Sequence, residues 1–497
     1  MNWPMSGDFP TPGRSPHVNA LNLGDYEFDL TGQEVHADGE IWIATNFTLR
    51  QLFLNRYPAH GSSGDRRCAI GELPANQCPG DRRWIQLYFD AMLLMPTAPT
   101  LIDARNAILA ADQTRFGGAN QDLLWRGFAE RGFGQFATTT GPNDDNPIPD
   151  FSSPDENNAT VTFKAVTQDN PGHATPVDAT VYVGDYEARI TQIADTMAAN
   201  DPAVTPSNLD ATALFVATHD RRGDGHNLRG GRNDHGRGPD RDGEERHGDD
   251  NGAGYNFVAR AAGYGHVRFR IDDLRPGENR VVTIEFPRNV ASAAAGATAS
   301  GDGADQANLI DETEGTQWTS TGTTDVAGRQ VLITLAGRQT FRVVKVSALL
   351  GPGQNRFTAL RAFDLLACDA GKTTCDPASA AGWKRVLGSE DDAFPSVNPR
   401  PIAPNLTMRA WKVPTTKATH VLFRVRANQC SGQRSYQGEQ DNDPTYSTDC
   451  RVTSLTPAGT VGLPARNTDV RAAEVELLSD EPKVKGADEE NIHGADH

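Results

Sequence analysis

The run from Gly32 to Phe53 is the segment best suited to chemistry, because it contains His36 and Glu40. In a helix, positions i and i+4 share one face, so the imidazole and the carboxylate would lie side by side. Such a pair can be half of a metal site, or a histidine held by a carboxylate. In the structural alternative, His36 caps a helix and Glu40 is solvated. The pair alone favours this alternative.

A second segment with metal-binding residue types is 219–250, which is rich in His, Asp, Arg and Gly. His-rich tracts can chelate divalent ions. The histidines here show no regular ligand spacing, and the segment has too few apolar residues to bury a core. We therefore predict a disordered loop, with metal binding as the alternative.

The cysteines indicate the compartment. The six cysteines form three pairs close in sequence: Cys68 and Cys78, Cys368 and Cys375, and Cys430 and Cys450. Such pairs suit disulfides that each close one loop, and disulfides indicate an oxidising compartment. The alternative is a cytosolic protein with unpaired cysteines. Because no zinc-ribbon spacing is present, we predict disulfides and a secreted, extracellular protein. The first residues do not resemble a signal peptide, so we expect the native N-terminus upstream of Met1.

The elements around His36 have a helical pattern of apolar residues. We predict a helix from His36 to Tyr57 and another from Trp84 to Met95, which the following proline ends. Thr100 and Asp103 form a T-x-x-D pattern typical of a capping box. A further helix ends near Gly132.

Beyond this helical part the apolar period changes to two, which predicts strands. The predicted organisation is an irregular segment 1–30, a helical subdomain 31–140, a linker 141–158, a β-sandwich 159–290 interrupted by the loop 219–250, a linker 291–304, a β-sandwich 305–479 and a disordered tail 480–497. The fold class is therefore multidomain α + β, with a helical subdomain before two β-sandwiches.

Composition excludes several classes of function. The 497 residues have a formal net charge of −18, which argues against nucleic acid as a partner. Hydrophobic residues make up 37% and charged residues 23%, which is typical of a folded chain. No apolar run approaches the roughly 18 residues of a transmembrane segment.

Three blocks resemble the C-terminal part of the fungalysin family: EVHADGEIW, MLLMPTAPTLIDARNAILAADQ and GGANQDLLWRGFAERGFGQFA. These are secreted zinc metallopeptidases related in fold to thermolysin, with a helical C-terminal subdomain. The resemblance implies that His36 donates a hydrogen bond to the oxyanion of the transition state, with Glu40 as a supporting residue. It also implies a protein or peptide substrate. We expect structural roles for Asp103 and Arg105.

The zinc site of such an enzyme needs H-E-x-x-H on a helix and a downstream Glu. None of the 12 histidines belongs to this motif. We therefore interpret the chain as the C-terminal half of such a peptidase, from a truncated gene model, a split gene or a genuine half-protein. Alone, it is expected neither to bind catalytic zinc nor to hydrolyse peptides. Its helices are expected to expose the face that packs against the zinc-bearing half, with poor solubility as the result.

The two β segments resemble different families. The run YNFVARAAGYGHVRFRI resembles a carboxypeptidase regulatory-like domain, usually a spacer or folding aid. The runs ANLIDETEGTQWTS, GRQVLITLAG and THVLFRVRANQC resemble a discoidin, or coagulation factor 5/8 C-terminal-like, domain with a galactose-binding jelly roll. The second resemblance implies carbohydrate or cell-surface binding through variable loops.

Some residues of the discoidin-like segment are candidates for binding. Trp318 is expected to pack beneath the loops. Aromatic candidates for sugar stacking, each with core packing as the default, are Phe357, Phe394 and Tyr436. Carboxylate candidates for calcium, each with an ion pair or solvation as the alternative, are Asp311, Glu474 and Glu476.

Two functions follow from these observations. The first is a secreted zinc metalloendopeptidase of fungalysin type that is inactive as this chain alone. The second is a non-enzymatic extracellular protein that binds carbohydrate or a cell surface. A structural module without a specific ligand is a third alternative.

Overall fold

The computed structural model describes residues 21–26, 37–59, 61, 63–167, 174–187, 192–196, 210–218, 254–351, 354–389, 393–394, 401, 403–430 and 468–489. Within these ranges a helical region is followed by two β regions, which confirms the predicted fold class. The predicted loop 219–250 lies outside the described residues.

The helical region packs around one apolar core. Its helices are α1 (Ala37–Arg56), α2 (Ser63–Ala69), α3 (Gly80–Met92), α4 (Leu101–Phe116) and α5 (Gln121–Glu130). Helix α1 contacts α3 and α5, and α3 contacts α4. Leu49, Phe53, Leu87, Ile108 and Phe128 are completely buried between them. The buried residues of α3 and α5 follow the apolar period of the sequence, whereas Leu94, which was included in that period, lies beyond α3 and is exposed.

Local signals define the ends of the helices. Thr100 and Asp103 form the predicted capping box at the start of α4, and Gly117 ends this helix in the left-handed conformation, with a φ of 65°. The predicted extension of α3 to Met95 is wrong, because α3 ends at Met92. The N–H of Leu94 donates to the carbonyl oxygen of Ala91, which tightens the last turn.

The strands are short at the edges and long in the centre of the second β region. In chain order they are β1 (Ala159–Thr167), β2 (Thr180–Val183), β3 (Ala194–Asp195), β4 (Asp210–Phe215), β5 (Tyr255–Arg260), β6 (Val267–Ile271), β7 (Asn279–Phe286), β8 (Thr298–Gly301), β9 (Trp318–Ser320), β10 (Gln330–Ser347), β11 (Leu360–Cys368), β12 (Lys384–Gly388), β13 (Arg409–Asn428), β14 (Val470–Ala472), β15 (Glu474–Leu478), β16 (Lys483–Lys485) and β17 (Asp488–Glu489).

The first β region is a sandwich of two sheets. One has the strand order β16-β7-β1-β4, and the other has the order β17-β6-β5-β2-β3. Strand β1 buries alternate residues, as its period of two predicts. Phe163 of β1 packs against Phe257 of β5 and Phe269 of β6, with ring centroids 5.5 and 6.3 Å apart.

The predicted disordered tail 480–497 is wrong over its described part. Strand β16 pairs with β7, and β17 pairs with β6, so this segment, which we call the C-terminal clasp (residues 483–489), adds one strand to each sheet of the first sandwich. Val484 is buried in the sandwich core. The charged residues that suggested disorder are instead typical of an edge strand, where charges discourage further pairing.

The second β region is built on an antiparallel sheet of order β12-β11-β13-β10-β15, in which β8 also pairs with β10. A two-stranded sheet, β14-β9, accompanies it. The predicted linker 291–304 includes β8 and the buried Ala291 and Ala297, so it belongs to this region.

Two predicted irregular segments are packed where they are described. In the segment 1–30, residues Leu21–Asp25 are buried, and Leu23–Asp25 form a 3₁₀ turn. In the predicted linker 141–158, Phe151 is buried against Phe215 and Tyr255, with ring centroids 5.5 and 5.8 Å apart. These contacts attach the helical region to the first sandwich.

Candidate functional site

The predicted catalytic histidine, His36, lies outside the described residues. Helix α1 begins directly after it, at Ala37, and carries Asp38 and Glu40 in its first turn. Acidic side chains here are favoured by the helix dipole. Asp38 is buried and Glu40 is half-buried. The structure therefore positions Glu40 one turn into a helix, and its supporting role stays a prediction.

Helix α1 is held rigidly against α5. The Trp42 ring stacks on Phe128, with centroids 6.4 Å apart, and meets Phe133 edge-on at 5.8 Å. Just beyond α5, Arg131 donates through Nε to the Thr48 hydroxyl oxygen at 2.9 Å and through Nη1 to the Leu21 carbonyl oxygen at 3.1 Å. The segment that follows His36 therefore has a fixed orientation.

Asp103 and Arg105 have the structural roles expected from the sequence. Asp103 completes the capping box of α4. The buried Arg105 donates through Nη1 to the carbonyl oxygens of Phe133 and Gly134, and its guanidinium lies 5.3 Å from the ring centroid of Trp125. Burial lowers the pKa of Arg105. Both side chains thus hold the helical region together.

Two of the predicted disulfides are present, Cys68–Cys78 and Cys368–Cys375. Cys430 is also disulfide-bonded, and its predicted partner Cys450 lies outside the described residues. These bonds agree with an oxidising compartment.

The residues that the structure describes include few of the histidines that could bind zinc. Only His266 and His420 of the histidines lie within them. No group of three or more His, Cys, Asp or Glu side chains in this part of the chain could hold a metal ion. The described residues therefore do not provide a zinc site.

The most highly charged buried cluster joins the two β regions, and sequence reasoning missed it. Nδ1 of His266, just before β6, lies 2.6 Å from Glu476 Oε1 on β15. Its Nε2 lies 3.4 Å from Glu187 Oε1, and Lys345 of β10 donates to its carbonyl oxygen. Up to 210 residues separate these partners, so no local pattern could reveal the cluster.

Opposite charges keep His266 protonated. Burial alone would lower its pKa, but Glu476 and Glu187 outweigh burial and raise the pKa to about 9. Burial would likewise raise the pKa of both carboxyls, but His266 holds them below their ordinary values. At neutral pH the cluster is an imidazolium between two carboxylates.

A third carboxylate, Glu314, continues the charged contact between the β regions. Glu314 is completely buried, and its Oε1 accepts from the Ser347 hydroxyl at 2.6 Å and the Met408 N–H at 2.7 Å. Its Oε2 accepts from Arg268 of β6 at 2.8 Å. Hydrogen bonds from both regions thus satisfy this carboxylate.

The calcium candidates separate into two groups. Glu476 belongs to the histidine cluster, which favours its ion-pair alternative. Glu474 Oε2 accepts from the Glu312 N–H at 2.9 Å, whereas its Oε1 has no hydrogen-bond partner among the described residues. Asp311 Oδ2 accepts from the Thr316 hydroxyl at 2.6 Å, and its Oδ1 likewise has none. Glu476 Oε2 also has no hydrogen-bond partner among the described residues, so each of the three candidates keeps one buried oxygen available to a hard cation.

The electrostatic environment of Glu474 and Asp311 also favours a cation. Burial, Glu476 and Asp311 raise the pKa of Glu474 well above its ordinary value. Burial raises the pKa of Asp311 as well. A bound cation would compensate both buried charges.

The aromatic candidates that the structure describes cannot stack on a sugar. Phe357 and Phe394 are completely buried, which leaves no face for a sugar. Tyr436 lies outside the described residues. Trp318 is buried against Phe423, as expected for a packing residue, and its Nε1 donates to the Asp302 carbonyl oxygen at 2.7 Å. Sequence alone did not locate a sugar platform.

Among the residues that the structure describes, no helix combines the length and the apolar character that a bilayer requires.

Comparison with solved structures gives low overall similarity. The family 32 carbohydrate-binding module from Streptococcus pneumoniae EndoD is 12% identical, has a TM-score of 0.22, and aligns over 39% of this chain and 99% of that chain. The CBM32 of AlyQ, in complex with 4,5-unsaturated mannuronic acid, is 16% identical with a TM-score of 0.21, over 37% of this chain and 94% of that one. Similarity at this level does not assign a ligand to this chain.

Sequence comparison agrees with the predicted family of the helical region. The family model of the fungalysin metallopeptidases (M36) matches residues 13–137. The extracellular metalloproteinase mep of Aspergillus flavus is 38% identical over 106 residues, which are 21% of this chain and 16% of the relative. The extracellular metalloproteinase MEP of Leptosphaeria maculans is 37% identical over 102 residues, 20% of this chain and 15% of the relative. The chain thus spans about a sixth of the length of these relatives. Residues 13–137 form a region similar in sequence to the fungalysin metallopeptidases.

Proposed function

We propose that residues 31–140 are the helical subdomain of a secreted zinc metalloendopeptidase of fungalysin type that acts on proteins or peptides. The family match over residues 13–137 carries this proposal. The helical structure and the disulfides are consistent with it. Zinc in such an enzyme polarises the peptide carbonyl and activates a water molecule.

In this proposal His36 donates a hydrogen bond to the oxyanion that forms when water attacks the peptide carbonyl. A donor directed at developing charge is useful only if its position is fixed in advance. Helix α1 directly follows His36 and is fixed by Trp42 and Arg131. Glu40, one turn further on, supports the orientation of the segment.

The zinc-binding half must come from outside these 497 residues, because the sequence has no H-E-x-x-H. One face of α3 is suited to receive it. Ile85, Phe89 and Met92 follow the i, i+4, i+7 pattern of a single helix face and are 49%, 61% and 46% exposed. Exposed apolar faces of this kind mark protein–protein contacts. We propose that the zinc-bearing half packs here and that the chain alone is inactive.

Reconstitution in trans tests this function. The 497-residue chain is purified alone and together with an H-E-x-x-H-bearing segment of a fungalysin-type metallopeptidase, and zinc-dependent casein hydrolysis is measured. We expect activity only from the pair. His36→Ala should lower kcat by about 10²–10³-fold with little change in KM. His420→Ala, in the second β region, should leave activity unchanged.

The association of the 497-residue chain with the H-E-x-x-H-bearing segment is measured in the same system. Phe89→Asp should prevent association, whereas Leu214→Asp, an equivalent change of an exposed residue in the first β region, should not. Casein hydrolysis by the chain alone would contradict its inactivity. A complex that forms but stays inactive with His36 intact would contradict the peptidase function.

We also propose that Asp311 and Glu474 bind a structural calcium ion, supported by their two unpartnered carboxylate oxygens. Backbone carbonyl oxygens would complete the coordination, because the described carboxylates do not form a group of three. Calcium at about 100 times its Kd should add about 2.7 kcal/mol to the free energy of unfolding. Glu474→Gln should abolish calcium binding by calorimetry, and Glu481→Gln should not. Equal binding by both variants would contradict this site.

The alternative function is binding of carbohydrate or a cell surface through the discoidin-like segment 305–479. The sequence blocks quoted above and the antiparallel sheet support it. The buried Phe357 and Phe394 exclude these two side chains as the sugar platform, so other loop residues would have to bind. A glycan array with the whole chain tests this alternative, and no binding to any glycan would contradict it.

A further inference from the structure

Asp25 is a buried acid at the contact between the helical region and the first β-sandwich. It belongs to the 3₁₀ turn Leu23–Asp25 and is 1% exposed. The Leu23 N–H donates to the carbonyl oxygen of Arg131, just beyond α5, at 3.0 Å. On the other side, Asn22 Nδ2 donates to the carbonyl oxygen of Val183 at the end of β2. The turn therefore lies between the helical region and the first β-sandwich and is hydrogen-bonded to both.

The two oxygens of the Asp25 carboxyl have different environments. Oδ2 accepts from the Asn22 N–H at 2.9 Å and from Asn22 Nδ2 at 2.7 Å. Oδ1 has no hydrogen-bond partner among the described residues. It lies directly against Gly184, where a Cβ atom would come within 2.5 Å of it and where φ is 112°. Only glycine allows this close approach.

The charges around Asp25 come from both sides of the contact. Asp185, directly after Gly184, contributes a second acid, and Arg131 contributes a cation from the end of α5. Burial and Asp185 raise the pKa of Asp25 well above its ordinary value, against the opposing effects of the Asn22 hydrogen bond and Arg131. Asp185 in turn faces Arg268 and Arg270 of β6 and accepts from Asn256 Nδ2 of β5 at 3.2 Å.

We propose that Asp25 is a proton-operated latch: its neutral carboxyl allows residues 21–26 to lie against Gly184, and loss of the proton releases them from the first β-sandwich. An ionised Oδ1 in this dry contact would be a buried charge without a donor, which strongly disfavours the closed state. Separation from Gly184 would let water solvate it. Attachment of the helical region to the sandwich therefore weakens as pH rises.

The direction follows from linkage. An acid whose pKa is raised by folding binds its proton more tightly in the closed state than in the open state. The closed state is therefore fully favoured at low pH and loses its advantage as pH rises through the raised pKa. Between the ordinary pKa of an open, solvated carboxyl and the raised pKa of the closed state, one proton is released on opening. Over that range the population of the open state should grow about tenfold per pH unit, and above the raised pKa it should level off.

Hydrogen exchange of the whole chain between pH 5 and pH 9 tests the latch. Exchange rates of peptides that contain residues 21–26 and 181–185 are corrected for the intrinsic pH dependence of amide exchange. Wild type should lose protection in both peptides together as pH rises. Asp25→Asn has the same shape without an ionisable group, so its corrected rates should be independent of pH. Asp305→Asn, at an exposed acid in the second β region, should behave as wild type.

The outcomes are distinguishable. Protection that does not vary with pH in wild type, or that varies equally in Asp25→Asn, would overturn the proposal. Should Asp25→Asn fail to fold, Asp185→Asn replaces it. Removal of this neighbouring charge lowers the pKa of Asp25 in the closed state, so the loss of protection should be smaller and the pH at which it levels off should shift downward. No shift would then overturn the latch.

Discussion

The charge on His266 is balanced by carboxylates from both β regions, Glu187 on one side and Glu476 on the other. Removal of one partner from a buried ionic cluster leaves the remaining charges without compensation, which is more harmful than the loss of a surface pair. His266 therefore connects the two β regions electrostatically, and its replacement should destabilise both regions.

His266→Gln should lower the free energy of unfolding by about 3–5 kcal/mol at neutral pH, because Glu187 and Glu476 then repel each other in a dry site. The pKa of His266 is raised to about 9 from 6.5, so its contribution is complete below about pH 6.5 and disappears as pH rises through about 9. Thermal unfolding across this range measures the effect. His420→Gln, at a half-buried histidine bonded to Thr419, is the matched control. An equal loss in both variants would refute the role of the cluster.

At the residue scale, the sequence predicted side chains whose partners are close in the chain. The Thr100–Asp103 capping box and the disulfides Cys68–Cys78 and Cys368–Cys375 are confirmed. His266 and Glu476 could not be paired, because their contact depends on how two sheets meet. The burial of Asp25 could not be predicted either, because the residue that it contacts, Gly184, lies 159 positions away in the sequence.

At the scale of elements, helices were predicted better than edge strands. The packed face of a helix can be predicted from the spacing of its apolar residues over a few turns, as for α3 and α5. A strand of two or three residues carries no period, so β16 and β17 read as a charged tail. The carboxypeptidase regulatory-like identity of the first sandwich stays a prediction.

The capping box at the start of α4 can be tested by substitution. Thr100→Ala removes the oxygen that accepts from the Asp103 N–H, and should lower the free energy of unfolding by about 1 kcal/mol. Thr114→Ala, at an exposed position inside the same helix, should be neutral or slightly stabilising because alanine is the better helix former. Thermal unfolding of both variants checks this difference. Equal midpoints would show that the capping box contributes nothing.

The whole molecule is connected through its first β-sandwich. The turn at Asp25 contacts it from the helical side, and the C-terminal clasp completes both of its sheets. Glu476 and Glu314 contact it from the second β region, through His266 and Arg268. Buried side chains of the helical and second β regions belong to one cluster, which includes Tyr182 and Tyr186. A change at the sandwich should therefore affect both neighbours.

Deletion of residues 480–497 tests this arrangement. It removes β16 and β17, exposes the edges of β7 and β6, and uncovers the core beneath Val484. We expect self-association on size-exclusion chromatography and a lower melting temperature, because open sheet edges pair with other chains. Deletion of residues 490–497, which keeps the clasp, should cause neither change. A monomeric deletion variant with an unaltered melting temperature would contradict a structural role of the clasp.

The position of the clasp at the end of the chain also determines when the first sandwich can be completed during biosynthesis. Glu285 of β7 is paired by Lys485, which the ribosome adds 200 residues later. At about 5–20 residues per second, β7 waits about 10–40 seconds for its neighbour. The whole second β region is made during this interval and can fold first, while the nascent sandwich presents unfinished edges. Shielding of nascent chains during those seconds would then govern yield as strongly as the stability of the finished fold.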